Sequence, residues 1–245
     1  MIRLNDVLGY KDLKIYQDSN YFSFSLDSIM LANFVNIKKT NKRIIDLGCG
    51  NGVIPLILSR RCSLKIDGVE LQQSVFELAK KSVKYNGLDD RINIYNMDIK
   101  DLNDNKYIEK YDIVVCNPPY FPYDSKSIIN VSEEKQIARH EVAIKLSEVV
   151  RIASKVLVNK GTFAMVHRCD RFFEVIDELK KNNIEPKRLK LIYPYKNKNS
   201  NLVLIEGSKN GNCGLIIEPN IIVHNSDGSY TEEIMKLFSG GSYEN

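Results

Sequence analysis

The chain has 245 residues, 43% hydrophobic and 27% charged, a globular composition with enough apolar side chains for a sizeable core. Its 35 Lys and Arg against 31 Asp and Glu leave a net charge of +4, compatible with a nucleic-acid partner without requiring one. Five cysteines (Cys49, Cys62, Cys116, Cys169, Cys213) are scattered and form no C-x-x-C pair, which argues against a disulfide framework and a structural zinc site. The first residues hold no apolar signal core and no window reaches the length of a membrane span, so a reduced, cytoplasmic protein without a membrane partner is expected.

No internal repeat or low-complexity linker interrupts the chain. After an irregular start, 25–35 carries apolar residues at helical spacing behind Ser25, which could cap it. Residues 43–47 (RIIDL) read as a short strand running into GCGNG, and 53–61 as a helix whose first turn tolerates a proline. A strand over 64–70 precedes an amphipathic helix over 72–87 closed by a glycine. Strands follow at 91–98 and 111–116, a helix at 145–158, a strand at 161–167 and a helix at 171–182. PKRLKLIYPY (186–195) and NLVLIEGSK (201–209) look like a closing pair of strands. This β-α alternation predicts an α/β fold with a mostly parallel sheet covered by helices on both faces. Ligands of such sheets bind beyond the carboxyl ends of the strands, where strand order reverses.

Three acids and a glycine turn mark that edge. DLGCGNG puts Asp46 at a strand end and Gly48, Cys49, Gly50 and Gly52 in the turn to the next helix. Alternating glycines permit a sharp turn and close approach of a ligand to backbone, although a plain strand–helix turn would need them too. No G-K-S/T follows, which disfavours a phosphate loop, and the spacing is G-x-G-x-G rather than the dinucleotide G-x-G-x-x-G. Glu70 ends the second strand, where a carboxylate can accept both hydrogen bonds of a ribose diol. Asp98 ends the third, where it could accept from an adenine amino group, with Leu71 and Ile99 flanking the rings. Each acid alone could be an ordinary exposed strand-end residue; three at successive strand ends are harder to assign to chance.

D-L-G-C-G-N-G, V-E-L, N-M-D-I and N-P-P-Y, in that order, resemble the class I S-adenosylmethionine-dependent methyltransferases. The resemblance implies a Rossmann-like, seven-stranded sheet with its last strand antiparallel. It further implies that the glycine loop holds the methionine part of S-adenosylmethionine and that Glu70 holds its ribose, with S-adenosylhomocysteine as product and no metal. N-P-P-Y (117–120) then lies at the fourth strand end, beside the methyl donor. The Asn117 side-chain oxygen and the Pro118 carbonyl could each accept one N–H of an exocyclic amine, orienting its lone pair, while Pro119 fixes the turn and Tyr120, with Phe121, stacks on the base. The target must leave its stack or come from a single-stranded loop.

LGYKDLKIYQDSNYFSFSLDSIMLANF, CNPPYF, ARHE, VHR, EPKRLKLIYP and GSYTEEI together resemble the bacterial tRNA1(Val) adenine-37 N6-methyltransferase family across almost the whole chain. That resemblance implies methylation of an adenosine in a tRNA anticodon loop. On this reading 1–245 is a single methyltransferase domain: a lid segment over 1–40, a catalytic core over 41–210 and an extension over 211–245, with no obligate protein partner evident. Residues 180–199, with seven Lys or Arg and one acid, could track phosphates or could be a solvated edge strand; Tyr193 and Tyr195 lie among them. Arg139 and His140 could touch RNA or lid the site. His167 is read as packed near the sheet's edge, and Phe24 and Ser25 could close over the cofactor. The rival readings are protein glutamine N5-methylation, another rRNA or DNA adenine N6-methylation, and an idle RNA-binding scaffold. The 45 residues before Asp46 are too few for the helical domain that glutamine-modifying enzymes carry.

Overall fold

The computed structural model describes residues 1–19, 21, 25–118 and 145–238. In chain order it contains β1 (Ile2–Val7), β2 (Tyr10–Asp18), α1 (Leu26–Phe34), β3 (Arg43–Leu47), α2 (Val53–Arg61), β4 (Lys65–Glu70) and α3 (Gln73–Tyr85). Then follow β5 (Ile92–Asn96), β6 (Tyr111–Cys116), α4 (Leu146–Val156), β7 (Leu157–Arg168), α5 (Phe172–Lys181), β8 (Ile184–Tyr195) and β9 (Leu202–Lys209). Two short strands, β10 (Ile216–Ile217) and β11 (Ile221–His224), and helix α6 (Glu232–Phe238) close the described chain.

The main sheet runs β10-β8-β9-β7-β6-β3-β4-β5, with β11 also paired to β8. β3 to β7 are parallel neighbours, and β9 is antiparallel to both β7 and β8. One strand, β9, is antiparallel as the resemblance implies, but the sheet has nine strands among the described residues rather than seven. The additional pair, β10 and β11, lies along the outer edge of β8. Both are too short, at two and four residues, for a periodicity to reveal them.

The apolar runs of the inner strands follow from burial on both faces. Ile44, Ile113, Ala164, Val166 and Leu204 point into one hydrophobic cluster with α1 and α2. Their alternates Ile45, Val114, Phe163, Met165, Val203 and Ile205 point into the other, against α4 and α5. In α3 the buried residues Val75, Leu78, Ala79, Ser82 and Val83 keep the i, i+3, i+4, i+7 spacing of one helix face, and Gly87, at φ +65°, ends the segment as expected.

The irregular start expected before residue 25 is instead an antiparallel hairpin, β1–β2, turning at Leu8 and Gly9. Leu13 and Ile15 alternate inward at the period of a strand, but most of β1 is exposed, so no apolar run announces it. Ser82 of α3 and Asn86, just past its end, hold the hairpin. The Ser82 hydroxyl accepts from Tyr16 N at 2.9 Å, and the Asn86 amide accepts from Lys14 N at 3.0 Å while donating to Lys14 O at 2.7 Å.

Candidate active site

Strand order reverses between β3 and β6: β4 and β5 extend to one side, β7, β9 and β8 to the other. The register pairs Asp46 with Val115, so the glycine turn after Leu47 and Asn117 after Cys116 emerge side by side. A crevice at such a switch point follows from the topology.

The turn is built to stay open. Gly48, Gly50 and Gly52 have φ of +74°, +56° and +88°, values that disfavour any residue with a Cβ. A Cβ at Gly48 or Gly50 would meet nothing within 4 Å, so space for a ligand lies against this backbone. Gly48 and Cys49 both donate backbone N–H groups to Val69 O at 2.9 Å, tying the turn to the end of β4. Cys49 is buried, and a Cβ on Gly68 would lie 2.9 Å from its sulfur, so Gly68 makes the seat for this thiol. Burial, reinforced by Asp46 and Glu70, holds the Cys49 thiol well above its ordinary pKa, which marks it as packing rather than nucleophile.

Two of the three expected acids sit inside this framework. Asp46 is fully buried, and neither of its oxygens has a hydrogen-bond partner among the described residues. Burial, then the neighbouring Glu70 charge, pushes its pKa well up. Glu70 accepts from Gly50 N at 3.0 Å through Oε2 and from Gln72 N at 2.9 Å through Oε1. Burial raises its pKa while these backbone N–H groups pull the other way. The sequence pointed to Glu70 as a ligand for a diol; the structure adds that the same carboxylate splints the glycine turn to the next strand end. Asp98 accepts from Lys100 N at 2.9 Å and caps the short 3-10 turn Ile99–Asn103.

Leu71 is exposed at 38%, whereas Ile99 is packed with Leu47 and Val69 at 3% exposure. The Ile99 side chain is therefore part of the floor rather than an open apolar face. Asn96, which sequence reasoning did not single out, donates to both Glu70 O and Leu71 O at 2.9 Å and fixes the turn beyond β4.

Ser28 is the other unanticipated residue. Buried in α1, its hydroxyl accepts from Asn117 Nδ2 at 2.9 Å. Because the amide is planar, this bond aims Oδ1 away from α1. The only sequence signal was a hydroxyl residue on the apolar face of a predicted helix. Ser25 stands at the N-terminus of α1 with extended backbone and makes no side-chain capping bond there. His167 is buried at the end of β7, in line with the expectation, and burial lowers its pKa. Pro119 and Tyr120 of the expected amine grip lie outside the described residues, as do Phe24, Phe121, Arg139 and His140.

The basic segment 180–199 divides differently from a uniformly phosphate-facing or solvated strip. Arg188 forms ion pairs with Glu206 and, at 2.6 Å, with Glu218; buried Lys190 lies 3.3 Å from Glu218. β8 is also not a bare edge, since β10 and β11 pair with it. Those two cations secure the sheet's outer strands.

Known proteins agree with this architecture. The chain matches the methyltransferase small domain family over residues 12–182. It is similar to the tRNA1(Val) (adenine(37)-N6)-methyltransferase of Flavobacterium psychrophilum, at 26% identity over 239 residues that cover 96% of this chain and 98% of the relative. Among solved structures, a predicted O-methyltransferase from Agrobacterium tumefaciens superposes with a TM-score of 0.69 at 20% identity, covering 87% of this chain and 96% of that one. A geranyl diphosphate C-methyltransferase from Streptomyces coelicolor A3(2), solved with Mg2+, geranyl diphosphate and S-adenosyl-L-homocysteine, gives a TM-score of 0.56 at 13% identity over 74% of this chain and 76% of that chain. The fold is that of the class I methyltransferases, and the chain belongs to the methyltransferase small domain family.

Proposed function

We propose that this protein transfers a methyl group from S-adenosylmethionine to the exocyclic N6 of an adenine in tRNA, at adenosine 37 of a valine tRNA anticodon loop. The observation that carries this reading is the adjacency of the open glycine turn to Asn117, whose amide Ser28 orients. Relatives named tRNA1(Val) (adenine(37)-N6)-methyltransferases supply the choice of amine and of tRNA.

The residues present fit the cofactor. Asp46 is a buried carboxylate lacking any hydrogen-bond donor among the described residues, next to a second buried carboxylate; a cationic ligand relieves that pair. Gly48, Cys49 and Gly50 would line the methionine end, Glu70 would accept from the ribose hydroxyls, and Asp98 with Leu71 would border the adenine. S-adenosylmethionine bound there supplies an electrophilic methyl group on a sulfonium.

The remaining work belongs to the chain's own groups. An aromatic exocyclic amine is a weak nucleophile because its lone pair is delocalised into the ring. Asn117 Oδ1 and Pro118 O each accept one N–H, which turns the lone pair out of conjugation and favours a more tetrahedral nitrogen. Acceptors already aimed at developing positive charge stabilise the transition state without reorganising. No strong base is needed, because the proton becomes acidic once the nitrogen is alkylated. Tyr120 supplies the stacking surface for the extruded base.

The test is transfer of labelled methyl from S-adenosylmethionine to unmodified valine tRNA transcripts, followed by nucleoside mapping. The reading predicts N6-methyladenosine at position 37. Label on a release factor or ribosomal protein, with none on RNA, would replace it by glutamine N5-methylation.

A further inference from the structure

A column of aromatic rings stands at the far end of β8, outside the cofactor site. Tyr195, the last residue of β8, pairs in register with His224, the last residue of β11. Their ring centroids are 5.3 Å apart, and His224 stacks in turn on Tyr230 at 5.0 Å with planes within 23°. Phe238 packs against Tyr230 in a T-shaped contact at 5.0 Å. The column is held by a built turn: Asn225 N donates to Ser229 O at 2.8 Å, and the Asp227 carboxylate accepts from Ser229 N and, at 2.6 Å, from the Ser229 hydroxyl.

These rings are not buried like core aromatics. Tyr195 is 39% and Tyr230 40% exposed. Tyr195 ends the column among the described residues. Lys196 and Lys198 follow it in the turn to β9, both exposed and neither in an ion pair among the described residues. Arg188 and Lys190, in contrast, are committed to Glu206 and Glu218 further down the strand.

The column's position links it to the catalytic edge. β8 runs parallel to β6, because both are related through antiparallel β9. Three strand spacings separate them, about 14 Å. Through the β9 register, Leu191 lies level with His167. Tyr195 is four residues further on, about 13 Å of extended chain past that level. The rings thus rise beyond the carboxyl edge, on the same edge of the sheet as Asn117.

We infer that Tyr195, His224 and Tyr230, with Lys196 and Lys198, form a docking platform for single-stranded nucleotides of the tRNA that flank the methylated base. This inference rests on the tRNA reading above and deepens it. Tyr195, at the end of the column, offers its outer face to an unpaired base with His224 and Tyr230 stacked behind it, and the adjacent ammonium groups neutralise the flanking phosphates. Duplex RNA presents no such faces, so the platform favours a loop over a stem.

The experiment is filter binding of unmodified valine tRNA to the full-length protein at fixed salt, beside methyl transfer to the same tRNA. Variants are Tyr195→Ala, Tyr195→Phe and Lys196→Glu, with thermal melting and S-adenosylhomocysteine titration to show that the fold and cofactor site persist. Tyr195→Ala should weaken tRNA binding about tenfold, Tyr195→Phe should bind like wild type, and Lys196→Glu should weaken binding and flatten its salt dependence. Wild-type affinity in Tyr195→Ala and Lys196→Glu, or failure of the wild type to bind tRNA, would overturn the platform. If wild type binds tRNA without methylating it, the methylation reading falls, while the loss in Tyr195→Ala still decides the platform.

Discussion

Asp46 carries a cost in the protein without cofactor, since it is a buried carboxylate with a raised pKa and no donor among the described residues. A carboxyl group whose pKa is higher in the folded than in the unfolded chain binds more protons when folded. Stability of the cofactor-free protein therefore falls as pH rises from the ordinary carboxylate range through the raised value, and the loss is complete above it. Asp46→Asn removes that penalty. It should stabilise the cofactor-free protein by about 1–3 kcal/mol near neutral pH, with the gain vanishing below about pH 3, under the ordinary carboxyl value of about 3.9, where Asp46 is protonated in both states. The same change should weaken cofactor binding. Melting curves across pH check the first expectation and calorimetric titration the second; a pH-independent difference would remove Asp46's ionisation from the account.

Ser28 acts at the same scale through Asn117. Ser28→Ala deletes the hydrogen bond that Asn117 Nδ2 donates to the serine hydroxyl and so weakens the hold on the amide's orientation. It should lower kcat about fivefold to tenfold with cofactor affinity unchanged, a loss of about 1–1.4 kcal/mol, and Ser28→Thr should restore most of it. If Ser28→Ala changes only melting temperature, the serine is structural.

At the scale of elements, the helices and inner strands were legible because their apolar periods are unambiguous. RIIDL, VIPLILSRR and YDIVVC form β3, α2 and β6 with the expected bounds. The hairpin was not, because its outer strand is exposed and its support comes from Ser82 and Asn86, polar residues some 66 to 72 positions away. Its turn meets the other end of the described chain: Gly9 has φ +89°, and a Cβ there would lie 2.0 Å from Phe238 Cα. Gly9→Ala should therefore push the end of α6 off the hairpin turn, costing about 2 kcal/mol or more and lowering the melting temperature. Glu233→Ala on the same helix, without that contact, serves as the comparison. Equal melting of Gly9→Ala and wild type would show that this contact does not form.

At the scale of the whole molecule, strand ends that are distant in sequence converge at one edge. Asp46, Glu70 and Asn117 could be marked from their positions after predicted strands, because a parallel sheet sends all those ends the same way. The links between them could not: the Glu70 splint to Gly50, the Asn96 bonds beyond β4 and the Ser28 hydroxyl all depend on three-dimensional register. The basic segment was only partly legible for the same reason, since Glu206 and Glu218, which claim Arg188 and Lys190 but not Lys196 or Lys198, lie on other segments. What the sequence could not contain was which charges face each other.

The central claim is that Asn117 grips the amine beside the bound methyl donor. Turnover on unmodified valine tRNA, measured for Asn117→Ala beside a titration with S-adenosylhomocysteine, tests it most directly. The account predicts a fall in kcat of about 10²–10³-fold with cofactor affinity within about twofold of wild type. Undiminished turnover, or a loss explained wholly by weaker cofactor binding, would contradict it.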